Sequence, residues 1–218
     1  MVSQKRLATL PDIETLKKLS QSLAMLDAIM SPEWESRYYS FNSKWGEDEM
    51  MASMRDGSGD EYFILFKSYG AIMKGFAHES PMSPYANESG KPWAGVLDSV
   101  PDEFQDFLSE PAFSIENTTF CIWRKHTDSS WQVGRIDYPE VDDPDGSEDL
   151  LSLLGGHPST YKEFAEEYYE REVELSAVEY IYQHKALTPE TTAALNAEVS
   201  FVELKSAIEE IGYPSGAI

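Results

Sequence analysis

The sequence predicts an α+β fold with a central antiparallel sheet of about five strands, an N-terminal helix and a C-terminal group of helices. β-Branched and aromatic residues beside short turns are typical of strands, and they occupy much of residues 34–138. Apolar residues recur every three or four positions before and after this region, which indicates helices. We therefore predict a sheet domain over residues 1–141 and a helical region over residues 142–218, packed together as one structural unit.

Three segments precede the first predicted hairpin. Apolar residues between Ile13 and Met30 recur at helical spacing and predict an amphipathic helix with Gln21 on its outer face. Residues 34–45, WESRYYSFNSKW, are rich in aromatic side chains and predict the first strand. Residues 47–54 begin with acidic residues and carry methionines at helical spacing, so we expect one or two helical turns there.

Two hairpins supply the remaining strands. Residues 62–66 and 71–76 flank a short turn that contains Gly70 and predict the first hairpin, at the centre of the sheet. Residues 118–125 and 131–138 predict the second. Between the hairpins, the prolines and glycines of residues 80–95 predict a long loop, a kind of segment that is more often functional than merely connecting. A short helix is expected directly after Pro101.

The acidic run of residues 139–149 marks the predicted boundary between the sheet domain and the helical region. Its aspartates lack the complete ligand spacing of an EF-hand, so we predict a solvated linker and no metal site. Caps, first-turn prolines and terminal glycines then predict a series of helices. The helices are expected over residues 150–154, 161–174, 175–187, 190–196 and 201–211.

The formal net charge is −22, from 39 acidic and 17 basic residues. A field of this sign repels phosphate backbones and anionic membranes and attracts cations, so we predict a basic protein partner and no nucleic-acid or membrane binding. The same charge also fits a protein that is simply kept dispersed, and that interpretation stays open. Cys121 is the single cysteine, which excludes an intramolecular disulfide. Without a signal-peptide core or an apolar run near ~20 residues, the chain is expected to be cytoplasmic.

Candidate catalytic groups are few. His78 and Glu79 follow the first hairpin and could supply a base or two metal ligands, but neighbours on a strand point to opposite faces. The same alternation separates Cys121 from Arg124, so the thiol is expected to be buried and structural. Neither a phosphate-binding glycine loop nor a nucleophile elbow is present in the sequence. We therefore assign no catalytic residue, metal or cofactor, and leave open whether the chain is an enzyme.

Aromatic residues concentrate in the predicted sheet and the long loop. Tyrosine and tryptophan on a sheet can pack in the core or form a recognition surface, because they supply large contact areas at low entropic cost. Both interpretations stay open. The candidate binding residues are Trp45, His78, Glu79, Tyr85, Trp93, Trp123 and Arg124.

Several segments of the chain resemble known groups of proteins. FNSKW (41–45), KGFAHES (74–80), EPAF (110–113) and FCIWR (120–124) resemble a group of uncharacterised bacterial stand-alone proteins, which have no established activity to transfer. VPDEFQDFL (100–108), followed by strands and acid-rich helices, is similar to segments of the SMI1/KNR4-type immunity proteins of bacterial toxin systems. That similarity covers a small part of the chain and implies a role in binding and inhibiting a protein.

The leading hypothesis is a non-enzymatic, acidic, cytoplasmic binding protein, with inhibition of a basic protein partner as an immunity-type role. The alternative is a small-molecule-binding domain or hydrolase with a pocket near His78, Glu79 and Arg124. A third hypothesis is a homo-oligomer whose aromatic surface is its own interface.

Overall fold

The computed structural model describes residues 4–216 and confirms the α+β class. Its sheet is antiparallel, and the six strands lie in the order in which they occur along the chain, one strand more than the predicted number of about five. The strands are β1 Tyr39–Gly46, β2 Glu49–Arg55, β3 Glu61–Lys67, β4 Gly70–Phe76, β5 Phe120–Lys125 and β6 Gln132–Val133.

The helices lie at both ends of the chain and in the connection between β4 and β5. They are α1 Gln4–Thr9, α2 Ile13–Met30, α3 Gln105–Ser109, α4 Ser147–Leu150, α5 Pro158–Tyr169, α6 Leu175–Tyr182, α7 Pro189–Leu195 and α8 Lys205–Ile211. Within residues 4–216, every helix is too short or too polar to cross a bilayer. The helix α2 confirms the prediction over Ile13–Met30, but Gln21 is buried, because its amide donates to the carbonyl oxygens of Ile211 and Gly212.

Two compact units make up the fold. One combines residues 53–152 with the described part of residues 1–13, and the other combines residues 14–52 with residues 153–218. We call them the hairpin unit and the helical unit. Each unit contains two separate chain segments. The predicted division between residues 141 and 142 instead gives two regions of one continuous segment each. In the helical unit, the Ser22 hydroxyl of α2 donates to the carbonyl oxygen of Ile181 in α6, which explains why α2 groups with the C-terminal helices.

The prediction of helical turns over residues 47–54 is wrong, because Glu49–Arg55 forms β2. Only two residues separate β1 from β2, and Asp48 adopts a left-handed φ of 57° there. Aspartate tolerates this conformation, which two-residue hairpins use. The acidic residues that suggested a helix start therefore lie in and beside a hairpin turn. The first predicted strand is also shorter than expected, since Trp34–Ser36 forms a 3₁₀ turn before β1.

The second hairpin is shorter than predicted. Its second arm is only Gln132–Val133 rather than residues 131–138. A Cβ atom on Gly134 would lie 1.9 Å from the carbonyl oxygen of Gly95, so the backbone of the long loop packs directly against residue 134. Strand pairing ends at this point, directly after Val133. The Trp93 indole then donates to the carbonyl oxygen of Asp137 at 2.9 Å. The loop of residues 80–95 is thus fixed against the end of this arm.

The C-terminal helices are confirmed in part. Helices α5, α6 and α8 are shorter than predicted and α7 is shifted by one residue, whereas the helix predicted over residues 150–154 is replaced by α4 and a 3₁₀ turn, Ser152–Gly155. Helix α5 ends at Tyr169 because Glu170 turns left-handed, with φ 51°. Helix α6 ends at Tyr182, shortly before left-handed His184. Helix α8 begins at Lys205 rather than at Phe201.

We expect Gly75→Ala to lower the free energy of unfolding by about 2 kcal/mol, because overpacking of a filled core is costly. Gly75 pairs with Phe120 across β4 and β5, and an added Cβ atom would lie 2.0 Å from the buried Phe120 ring. Urea unfolding measures the change. Gly155→Ala is the control, since the nearest atom to its Cβ atom would be 3.7 Å away. Equal stability losses in the two variants would contradict the expectation.

Candidate functional site

His78 is held by a carboxylate in the hairpin unit. Asp60 Oδ1 lies 2.6 Å from His78 Nδ1 and accepts the His78 backbone N–H at 2.7 Å. Asp56 in turn accepts the N–H groups of Ser58, Gly59 and Asp60, which fixes the turn that carries Asp60. The hydrogen bond with Asp60 raises the pKa of the His78 imidazole. The pair therefore favours a protonated imidazole at the surface.

The predicted residues around His78 are only partly brought together. Glu79 Oε1 lies 3.9 Å from His78 Nε2, and the Glu79 side chain is exposed. Tyr85 is 75% exposed, and its ring lies 5.9 Å from that of Phe76, at the end of β4 near His78. Ser80 follows Glu79, and its hydroxyl donates a hydrogen bond to the carbonyl oxygen of Pro144 at 2.7 Å. Glu79 and Tyr85 are thus exposed and His78 is half-buried, whereas Ser80 is buried.

Three other predicted residues lie elsewhere. Arg124 is paired with Ala71 at the start of β4, whereas His78 follows the end of that strand, so about 20 Å of strand separates them. Trp123 is buried, and the Arg124 Nε atom donates to the carbonyl oxygen of Asp128. Trp45 is half-buried near the end of β1. The predicted pocket therefore lacks its Arg124 wall, and the small-molecule hypothesis stays a prediction.

Cys121 is a buried thiol, as the alternation in β5 predicts. Its side chain is fully buried, and desolvation raises its pKa to about 12. The neighbouring Lys74, its partner in the ladder, only partly offsets that rise. A thiol with such a pKa is not a nucleophile near neutral pH. Among the described residues, no three His, Cys, Asp or Glu side chains are grouped as metal ligands.

The helical unit contains a cleft of about 470 Å³ between the Trp34–Ser36 turn and the start of α8. Its volume lies in the range of ligand-binding pockets. The apolar part of its lining is formed by Pro32, Trp34, Val199, Leu204 and Ala207. Trp34 is 48% exposed, although most large apolar side chains of the unit are buried. The cleft therefore offers an indole surface to solvent.

Acidic groups line the same cleft. Glu198, Glu203 and Glu210 contribute carboxylates, and Arg37 is the one basic residue of the lining. Two donors of Arg37 are already used, since Nε donates to the Ser31 carbonyl oxygen and an Nη donates to that of Pro32. The lining therefore carries three carboxylates and one guanidinium, and one of the carboxylates, that of Glu198, also lies 3.9 Å from Arg171 outside the lining. The cleft is thus apolar at its walls and negatively charged.

Hydrogen bonds fix the two sides of the cleft. Glu203 Oε2 accepts the backbone N–H of Ser200, which orders the turn that leads into α8. The Ser43 hydroxyl donates to the carbonyl oxygen of Glu210 and ties the end of α8 to β1. Arg37 holds the other side through residues 31 and 32. The lining side chains therefore project from ordered backbone.

Asp27 supports the residues that follow the Trp34–Ser36 turn. Its buried carboxylate accepts the N–H groups of Tyr38 and Tyr39, at 2.9 and 2.8 Å, and the hydroxyl of Tyr161 at 2.8 Å. Burial raises the pKa of Asp27 to about 6, although these hydrogen bonds oppose the rise. Asp27 joins α2, β1 and α5 around one carboxylate. We interpret this cluster as structural support for the cleft.

Comparison of the chain with protein-family models, with curated protein sequences and with solved structures gives no match. The fold and the geometry of the site therefore carry the functional argument.

Sequence reasoning did not identify the cleft. Trp34 was one of several sheet aromatics. Glu203 and Glu210 belong to a segment that was considered only as a helix, and Glu198 lies between two predicted helices. Glu203 precedes Ala207 by four positions and Ala207 precedes Glu210 by three, a spacing that places them on one side of a helical segment. This pattern was a usable signal for an acidic edge. No short-range sequence pattern connects this acidic edge with Trp34, which lies far away in the sequence.

Proposed function

We propose that this chain is a non-enzymatic, cytoplasmic binding protein that engages a basic protein, with inhibition of that partner as an immunity-type role. The observation that carries the proposal is the net charge of −22 on a folded chain. Such a charge raises the association rate with a cationic protein and lowers it with nucleic acids. The buried, high-pKa thiol of Cys121 fits a binding role better than a catalytic one.

The SMI1/KNR4-like segment of residues 100–108 gives the proposal its particular form. In the structure this segment covers a 3₁₀ turn, Asp102–Phe104, and most of α3; Phe104 of the turn and Phe107 of α3 are buried. Its apolar residues thus support the core, and its acidic residues are exposed. The resemblance therefore supports the proposed inhibitory role without identifying a binding residue.

We expect one basic protein encoded beside this gene to bind the purified chain, with an affinity that falls at least about tenfold between ~50 and ~300 mM salt. Calorimetric titration of each neighbouring gene product measures this, and hen lysozyme serves as a basic control protein. The neighbour should bind much more tightly than lysozyme at both salt concentrations. Co-expression should also protect cells from that neighbour if it is toxic.

Two results would reject the proposal. One is that none of the neighbouring gene products binds at either salt concentration. The other is that a neighbour binds with an affinity indifferent to salt, since the proposed attraction is electrostatic and must be screened.

A further inference from the structure

We propose that the cleft lined by Trp34, Glu203 and Glu210 is the docking site for an arginine side chain of the partner protein. This inference rests on the proposed function and identifies the part of the surface that performs it. It concerns the helical unit alone, because every lining residue of the cleft belongs to that unit.

The first argument is the combination of an exposed indole with carboxylates. A guanidinium stacks on the face of tryptophan more favourably than on other rings, and it gains more when part of its solvent is removed. Trp34 is 48% exposed and lies in the cleft lining together with three glutamates. An arginine is the side chain that can use both features, because its plane stacks while its N–H groups bond carboxylates.

The second argument is charge complementarity within the cleft. Arg37 is the only basic lining residue, and its Nε and one Nη already donate to carbonyl oxygens. Burial also lowers the pKa of Arg37, so the surroundings do not favour extra positive charge there without a carboxylate. The charge of Glu210 opposes that fall. Glu198 lies 3.9 Å from Arg171, so the carboxylate of Glu203 is the main one left for a further cation. One further guanidinium would leave the lining closer to neutral.

The third argument is the apolar lining. Pro32 and Trp34 are the exposed apolar residues of the lining, and the methylene stem of a long cationic side chain can lie on them. Val199, Leu204 and Ala207 are buried, whereas the acidic side chains around them are exposed. A long stem with a charged head matches this arrangement better than a short acidic or polar side chain.

The test uses a defined probe, the peptide acetyl-Gly-Gly-Arg-Gly-Gly-amide, and the full chain labelled with ¹⁵N. We expect saturable shifts in the Trp34 indole N–H signal and in the backbone signals around Glu203 and Glu210. The same peptide with citrulline in place of arginine keeps the shape and loses the charge. It should bind at least about fivefold more weakly, as expected for loss of a charge-assisted contact.

Matched variants locate the binding. Glu203→Gln with Glu210→Gln should weaken arginine-peptide binding at least about fivefold, and glutamine still allows the cap on Ser200. Glu163→Gln with Glu179→Gln removes two exposed charges from helices of the same unit, outside the lining, and should change binding less than twofold. Trp34→Leu should weaken binding about two- to fivefold.

Three outcomes would overturn the inference. They are equal binding of the citrulline peptide, equal effects of the two glutamine pairs, and shifts spread over all acidic segments. Shifts that depend on protein concentration without peptide would instead indicate a second copy in the cleft and would also reject it. If the cleft fails but a basic neighbour still binds in a salt-dependent way, the proposed function stands. If the peptide binds the cleft but no neighbour binds, the proposed function fails.

Discussion

Asp27→Asn should be stabilised relative to the natural chain by about 2 kcal/mol more at pH 7 than at pH 4. The pKa of Asp27 is about 6 in the folded protein, against 3.8 for an exposed aspartate. A difference of about two pKa units corresponds to about 3 kcal/mol in total, most of which falls between pH 4 and pH 7. At pH 7 the buried Asp27 carboxyl of the natural chain is ionised, which costs folding free energy, whereas the asparagine of the variant carries no charge.

The sign follows from proton binding. Between pH 4 and 6 the folded state holds a proton on Asp27 that the unfolded state has lost, so stability falls as pH rises through this window. Asparagine resembles the protonated acid: its oxygen can accept from the N–H groups of Tyr38 and Tyr39, and its amide can donate to the Tyr161 hydroxyl. The variant should therefore lack this part of the pH dependence.

Urea unfolding of both chains from pH 4 to 8 measures the effect, and ¹³C NMR of the Asp27 carboxyl reports its titration directly. All other titrating groups are common to the two chains, so the difference isolates Asp27. Asp27→Ala is the control for hydrogen bonding. It leaves buried donors of Tyr38, Tyr39 and Tyr161 without this acceptor and should destabilise relative to Asp27→Asn at every pH, by about 2 kcal/mol. Parallel stability profiles of Asp27→Asn and the natural chain would contradict the assignment.

Glu61→Gln should cost about 3 kcal/mol of unfolding free energy, more than Lys74→Met, for which we expect about 1–2 kcal/mol. The Lys74 ammonium lies 2.9 Å from Glu61 Oε1, and its side chain is fully buried, whereas that of Glu61 is 23% exposed. Removing the carboxylate leaves a buried cation uncompensated. Removing the cation leaves a carboxylate that water can still reach.

The surroundings of Lys74 explain why the pair is ionic. Its ammonium also donates to the Asn117 carbonyl oxygen at 2.8 Å and lies 5.3 Å from the centre of the Phe63 ring. Burial lowers the pKa of Lys74, and the charge of Glu61 opposes that change. The Glu61 carboxylate therefore stabilises the charged form of the buried Lys74 side chain.

A double-mutant cycle with urea unfolding measures the coupling of Glu61 and Lys74. The double variant should lose less stability than the sum of the two single variants, because neither charge is left alone. Glu103→Gln is the control: it breaks the ion pair of Glu103 with Lys125, whose side chains are 49% and 31% exposed, and should cost much less stability than Glu61→Gln because water screens the pair. A larger loss in Lys74→Met than in Glu61→Gln would show that the cation is not the costly partner.

The sequence by itself determined the elements whose signals are local. The helix α2 and the hairpin of β3 and β4 were predicted because spacing and turn residues along one short segment specify them. The burial of Cys121 was predicted from alternation along β5, but residues 120–123 are all buried, so it is the covering of both faces of the strand that buries the thiol. The strand β2 was missed because its methionines also fit helical spacing, and only its neighbours in the sheet distinguish the two structures.

Only the tertiary structure decided which distant residues meet. It separated Arg124 from His78 along the length of β4, although both were predicted near one pocket. It placed Trp34 and Glu210 in the lining of one cleft, and Asp27 beside Tyr161, although the members of each pair are far apart in sequence. Spacing within a segment fixes which face a side chain occupies, but no short-range pattern records which other segment will cover that face. The fold class was therefore readable from the chain, and the candidate site was not.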